Sequence, residues 1–175
     1  MENFSYNLLT QHHRSVLNAN KHPYGYCSTN NFFPREVIQS ISNSFKFPET
    51  IGSKSDVLFQ KTKRALNDYN LFPNEIKQAV DYLNSQDFIN ILEEKFKINN
   101  LVADPALFGG GMHESRNGGY LKIHSDFIYI RKKKLKRMLN LLVYLNQNWD
   151  ENWGGAIELW DQKMQNNFLK IYPKI

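Results

Sequence analysis

The hydrophobic period of the sequence changes near Leu101. Before this residue, apolar side chains recur every three or four positions, which is typical of amphipathic helices. After it, apolar and polar residues alternate, and glycine clusters at 109–111, 118–119 and 154–155 separate short runs, as expected of strands joined by turns. Helices followed by strands predict an α+β fold, with the helices packed against an antiparallel sheet or barrel.

Three helices are expected before residue 101. The first begins at Pro34, which suits a first helical turn, and cannot continue through Pro48. The second follows Pro73, and the third follows Ser85, whose hydroxyl can cap it. The apolar residues that define one face of each helix are Val37, Ile38, Ile41 and Phe45, then Ile76, Val80 and Leu83, and finally Phe88, Ile89, Leu92 and Phe96.

The chain has 175 residues and is 41% hydrophobic, which suits one sizeable core. We therefore predict a single domain over residues 22–175, preceded by a loosely ordered arm over the polar, aperiodic residues 1–21. No window is apolar enough to span a membrane, and the N-terminus lacks the basic-then-apolar order of a signal peptide. A cytoplasmic protein without a membrane partner is expected, and the single cysteine, Cys27, fits a reducing compartment.

The net charge of +5 comes from one short run. Residues 131–137 contain six basic side chains, and the rest of the chain has 16 basic and 17 acidic residues. The basicity is therefore local. A solvated loop is favoured, ahead of a rim that attracts substrate and of a nuclear-import or nucleic-acid patch, so a nucleic-acid partner is disfavoured.

His124 and Asp126 stand two positions apart in an alternating run. On a strand, such residues point to the same face. One imidazole and one carboxylate, with a second histidine from elsewhere, form the facial triad that holds non-haem Fe(II) and leaves coordination positions open. A single histidine and aspartate at this spacing also occur by chance, so the surrounding sequence has to support this interpretation.

That surrounding sequence carries a family resemblance. GGGMHESRNGGYLKIHSDF, followed by RMLNLLVYLNQNWDENWGGAIELWD, resembles the prolyl 4-hydroxylase-like Fe(II)/2-oxoglutarate dioxygenases in order, spacing and residue type. Upstream, PYGYCSTNNFFPREVIQSI is similar to the entry strand and first helix of that group. The resemblance covers roughly residues 22–175. It implies a double-stranded β-helix, a cupin-like jelly-roll barrel flanked by N-terminal helices.

The resemblance also implies roles for individual residues. It makes His124 and Asp126 iron ligands and catalytic residues. Tyr144 stands where relatives use a tyrosine hydroxyl to bind the distal carboxylate of 2-oxoglutarate, although a half-buried core tyrosine with a satisfied hydroxyl is the alternative. Ile157 matches an apolar position that lines the cosubstrate pocket. His113 matches a position on the cosubstrate side of the barrel, with a hydrogen-bonded structural histidine as the alternative.

The implied cofactors are Fe(II), 2-oxoglutarate as cosubstrate and ascorbate as a reductant. The implied partners are dioxygen and an unidentified protein or small-molecule substrate, hydroxylated at a C–H bond, with prolyl residues as one candidate. Succinate and carbon dioxide would be the co-products. Arg137 corresponds to a basic residue near the pocket mouth. Trp149 and Trp153 match a turn between two barrel strands, where they are expected to pack structurally.

The sequence departs from the family at the third ligand. Relatives place a second histidine on a later strand, followed by a basic residue, but no histidine follows His124 and no arginine follows Arg137. The resemblance therefore predicts a barrel without its C-terminal strands that is inactive alone, with His113 as the first substitute ligand to consider. A non-catalytic jelly-roll binding module and a basic nucleic-acid-binding protein remain as alternatives.

Overall fold

A computed structural model describes residues 5–22, 24–48, 53–57 and 60–173. Helices and antiparallel strands alternate in blocks, so the fold is α+β, as predicted. The helices are α1 Tyr6–Val16, α2 Arg35–Ser44, α3 Asn74–Leu83 and α4 Gln86–Phe96. The strands are β1 Ser53–Val57, β2 Gln60–Leu66, β3 Met112–Leu121, β4 Tyr129–Ile130, β5 Leu135–Lys136, β6 Ile157–Trp160 and β7 Asn167–Ile171.

The three helices expected from the sequence are confirmed. α2 follows Pro34 and α3 follows Pro73, as the proline positions indicated. The Ser85 hydroxyl accepts a hydrogen bond from the backbone N–H of Phe88, 3.3 Å away, which caps α4. Local signals were sufficient here because caps and helical spacing act within one or two turns.

The prediction of a loosely ordered arm over residues 1–21 is wrong for α1. Leu9 and His13, one turn apart, are both buried. The His13 ring stacks on Tyr82 at 5.4 Å and contacts Phe88 edge-on at 5.3 Å, and its Nδ1 lies 2.8 Å from the Tyr82 hydroxyl. The helix is held by this aromatic cluster, in which a histidine takes the place of an apolar residue.

The expected order of helices first and strands afterwards is also wrong, because β1 and β2 precede α3. They pair antiparallel with each other, and β2 pairs antiparallel with β3, in the order β1-β2-β3. Leu66 and Met112 are register partners and lie in the main core. The charged sequence of β2 becomes a strand because β3 supplies its partner.

The C-terminal strands form two small hairpins. β4 pairs with β5 and β6 pairs with β7, both antiparallel. The alternation after Leu101 predicts strands, and β6 is one of them. Residues 122–128 and 137–146 are in neither helix nor strand. The described residues form three separate sheets rather than a closed barrel.

The main core lies among the helices and one face of β2 and β3. Tyr82, Phe88 and Ile91 are fully buried there. Val143 and Leu145 pack against this core from the C-terminal part of the chain, and the Ser42 hydroxyl donates to the carbonyl oxygen of Leu145 at 2.9 Å. None of the helices in the described residues combines the length and apolar content needed to cross a membrane.

Candidate metal centre

The β4–β5 hairpin brings the two halves of the candidate site together. Tyr129 pairs with Lys136, and the backbone N–H of Arg137 donates to the carbonyl oxygen of Ile128 at 2.7 Å, which extends the pairing by one step. The turn contains Lys134 in the left-handed conformation, with φ of 54°. The segment that follows the hairpin therefore runs back beside Asp126.

His124 and Asp126 lie side by side, although they are outside the assigned strands on which their spacing was expected to place them on one face. His124 Nε2 is 3.4 Å from Asp126 Oδ1. His124 Nδ1 is 2.7 Å from the carbonyl oxygen of Lys122. Because a carbonyl only accepts hydrogen bonds, Nδ1 carries a proton, and in the neutral ring Nε2 presents a lone pair.

The separation of the two donor atoms is compatible with two ligands to one metal ion. Ligands about 2.1 Å from a metal and at right angles are about 3 Å apart, close to the observed 3.4 Å. The Lys122 carbonyl orients the imidazole as backbone carbonyls commonly do for metal-binding histidines. The two side chains are 42% and 45% exposed, which leaves room for further ligands.

The other carboxylate oxygen of Asp126 has different partners. Asn140 Nδ2 donates a hydrogen bond to Oδ2, and Arg137 Nη1 is 3.4 Å from the same atom. Sequence reasoning assigned no role to Asn140. The signal in the sequence was its position four residues before Tyr144 in an alternating run, although the structure forms no strand there.

Arg137 is held in place by several groups. Its guanidinium lies 3.7 Å from the centre of the Phe127 ring, and its Nη2 donates to the carbonyl oxygen of Phe108 at 2.9 Å. Gly109 has φ of 74°, and a Cβ there would be 2.9 Å from both Arg137 and Phe127. A glycine is therefore needed at this position, and Arg137 forms part of the site rather than of a free basic loop.

The basic run before Arg137 is partly paired with an acidic residue. Lys133 Nζ is 2.8 Å from Asp104 Oδ1. The pKa of Asp104 is below its usual value, since the contacts with Lys133 and with the backbone at Phe108 outweigh the partial burial that acts to raise it. Arg131 and Lys136 are exposed. These contacts agree with a solvated hairpin turn.

Tyr144 and Ile157 lie elsewhere in the C-terminal part. Tyr144 is half-buried, and burial raises the pKa of its hydroxyl. Within the described part of the chain, no residue forms a hydrogen bond with that hydroxyl. The alternative, a core tyrosine whose hydroxyl is hydrogen-bonded, is therefore not supported. Ile157 begins β6, is half-buried and pairs with Ile171. Their roles as cosubstrate-binding residues remain predictions.

His113 is on β3, opposite Ala65. It lines a surface depression of about 290 Å³ with Lys63 and Gly110. The surrounding atoms exclude water from part of its ring, and this desolvation, with Lys63 nearby, lowers its pKa. His124 and Asp126 do not line this depression. The structure therefore does not support His113 as the third metal ligand. Across the described residues, three His, Cys, Asp or Glu side chains do not converge on a common metal position.

The two tryptophans pack structurally, as expected. Their rings meet edge-on at 5.4 Å, and Trp149 Nε1 donates to the carbonyl oxygen of Gly154 at 3.0 Å. Trp153 is 65% exposed. These contacts stabilise the turn before β6.

Residues 110–175 match the family model of the 2OG-Fe(II) oxygenase superfamily. The match spans just over a third of the chain and includes all five candidate residues, from His113 to Ile157. It supports the resemblance at superfamily level, and with it the dependence on Fe(II) and 2-oxoglutarate that the superfamily implies. No curated protein and no solved structure matches the chain.

Proposed function

We propose that the protein is an Fe(II)- and 2-oxoglutarate-dependent dioxygenase in which His124 and Asp126 bind the metal. The observation that carries this proposal is the convergence of His124 Nε2 and Asp126 Oδ1 at 3.4 Å. The hydrogen bond of Nδ1 to the carbonyl oxygen of Lys122 supports it by leaving the Nε2 lone pair available for a metal ion. The superfamily match over the same residues supplies the choice of metal and cosubstrate.

When bound together, Fe(II), 2-oxoglutarate and dioxygen supply the chemistry that hydroxylates a C–H bond and yields succinate and carbon dioxide. In this proposal Tyr144 donates a hydrogen bond to the distal carboxylate of 2-oxoglutarate, Ile157 lines that pocket and His113 lies on the cosubstrate side of the fold. The proposed fold is a jelly-roll barrel, the proposed substrate is a prolyl residue and the proposed reductant is ascorbate. A carboxylate at Asp126 favours hydroxylation over halogenation, for which relatives have a small residue there.

Metal binding tests the proposal directly. Purified chain would be titrated with Mn(II), which takes the same hard and imidazole ligands as Fe(II), and free Mn(II) would be measured by its EPR signal. We expect weak binding, because the described residues provide two donors. His124→Ala and Asp126→Ala should each weaken it more than 10-fold, since loss of an outer-shell partner alone commonly costs 10- to 100-fold.

His22→Ala is the matched control, since His22 is an exposed histidine packed on Phe168. It should bind Mn(II) as the wild type does. Unchanged binding in both His124→Ala and Asp126→Ala would show that the pair is not the metal site.

A non-catalytic binding module is the second candidate. The observation that favours it is that only two protein donors converge within the described residues, whereas the facial triad uses three. Succinate formation from 2-oxoglutarate separates the two candidates. Fe(II)-dependent succinate release that is lost in Asp126→Ala would exclude the module, and metal binding without succinate release would favour it.

A further inference from the structure

The two oxygens of Asp126 have distinct surroundings. Oδ1 faces His124 Nε2, whereas Oδ2 accepts the hydrogen bond from Asn140 and lies near Arg137. A carboxylate that is free to rotate about its Cβ–Cγ bond would present either oxygen, or both, to a metal ion. Here one oxygen is occupied by donors, so the other is left for the ion.

Arg137 and Asn140 contribute to this arrangement in different ways. The guanidinium is 3.4 Å from Oδ2, a long contact, and is placed chiefly by the Phe127 ring and the Phe108 carbonyl. Asn140 donates a hydrogen bond from Nδ2 to Oδ2, and Asp126 is the hydrogen-bond partner of its side chain, whereas Arg137 has other partners. Asn140 is therefore the better candidate for a group whose purpose is to orient the carboxylate.

We propose that Asn140 is a positioning residue that holds Asp126 Oδ2, so that Oδ1 binds the metal ion as a single-oxygen ligand beside His124. This inference rests on the proposed function. It predicts that the hydrogen-bond donor of Asn140, and not its volume, determines metal affinity, because hydrogen-bonded carboxylate ligands depend on their outer partners for orientation.

Three substitutions separate donor from volume. Asn140→Ala removes both, Asn140→Leu removes the donor and keeps a similar volume, and Asn140→Ser keeps a hydroxyl donor on a shorter side chain. Asn90→Ala is the matched control, because it removes an exposed amide on α4 that accepts a hydrogen bond from Gln86. Mn(II) affinity would be measured by EPR, and Co(II) would be added separately to record its visible absorption spectrum.

We expect Asn140→Ala and Asn140→Leu to weaken Mn(II) binding by about 10-fold or more and to change the Co(II) spectrum, because the carboxylate would then bind in other orientations. Asn140→Ser should lose less, and Asn90→Ala should match the wild type. Thermal midpoints without metal should be similar for all four variants, which separates positioning from folding.

Three other results would overturn the inference about Asn140. Wild-type affinity and spectrum in Asn140→Leu would overturn the inference and leave the proposed function intact, provided that Asp126→Ala still abolishes binding. Equal losses in Asn140→Leu and Asn140→Ala, with a lowered thermal midpoint in both and an unchanged Co(II) spectrum, would assign Asn140 a structural role and overturn it. Absence of metal binding by the wild type would overturn both proposals.

Discussion

The helical part and the C-terminal part of this chain bury their apolar residues to very different extents. Among the helices, Tyr82, Phe88 and Ile91 are fully buried. Between residues 120 and 168, Tyr129 is 66% exposed, Ile128 54% and Leu142 54%. The candidate metal ligands lie in this second part. The stability of the molecule therefore comes mainly from a region that contains none of the candidate site residues.

Two isoleucine-to-alanine substitutions, one in each part, should differ strongly in the unfolding free energy that they cost. Ile91→Ala removes a fully buried side chain from α4 and should cost about 2–5 kcal/mol, from lost burial and the resulting cavity. Ile128→Ala removes a side chain that is 54% exposed and should cost less than about 1 kcal/mol. Urea denaturation of both variants measures the difference. Equal losses would mean that the C-terminal part has a core of its own.

Acid sensitivity should also arise mainly in the helical part. Burial, with a smaller contribution from neighbouring His12, lowers the pKa of His13 to about 4. The unfolded chain takes up the proton near pH 6.5, so the stabilisation is fully present above pH 6.5 and is lost as the pH falls towards 4. Over that range the loss should approach about 3 kcal/mol.

Unfolding free energies at pH 7.5 and pH 4.5 test this assignment. His13→Leu has no titrating ring at this position, so its unfolding free energy should differ much less between the two pH values than that of the wild type. His22→Leu is the control, because His22 is exposed and packs on Phe168 outside the helices, and it should retain most of the difference in unfolding free energy. The assignment to His13 fails if His13→Leu remains as acid-sensitive as the wild type.

The smallest expected effect compares two capping side chains. Ser85→Ala removes the cap of α4 and should cost about 1 kcal/mol. Asp150 accepts a hydrogen bond from the backbone N–H of Asn152 at 2.8 Å, at the start of a 3₁₀ turn. Asp150→Ala should cost only a few tenths of a kcal/mol, because the turn is short and exposed. Thermal unfolding of the two variants provides the comparison, and a larger loss for Asp150→Ala would contradict it.

Local signals explain which elements could be predicted. Proline positions, the Ser85 cap and apolar spacing located α2, α3 and α4, because these signals act within one helix. α1 was missed because His13 occupies a core position, and a histidine in a polar stretch does not look apolar. β2 was missed because most of its residues are charged or polar, and its pairing with β1 and β3 makes it a strand.

The candidate site shows the same division. Spacing placed His124 and Asp126 on one face, and the structure brings their donor atoms together. The partners of Asp126 come from 11 and 14 residues further along the chain, and the hairpin between them determines that approach. The prediction that His113 could replace a missing ligand could not be judged from the sequence, since distance in the chain does not report distance in space.

Local patterns, which involve residues within a few positions of one another, were sufficient to predict the α+β class, three helices, the spacing of the donor pair and the location of the basic run. They were not sufficient for the burial of α1, the pairing of β2 with β3 or the separate surroundings of the two Asp126 oxygens. These features depend on contacts between distant segments. Such contacts form only when the hydrophobic core and the β4–β5 hairpin bring those segments together.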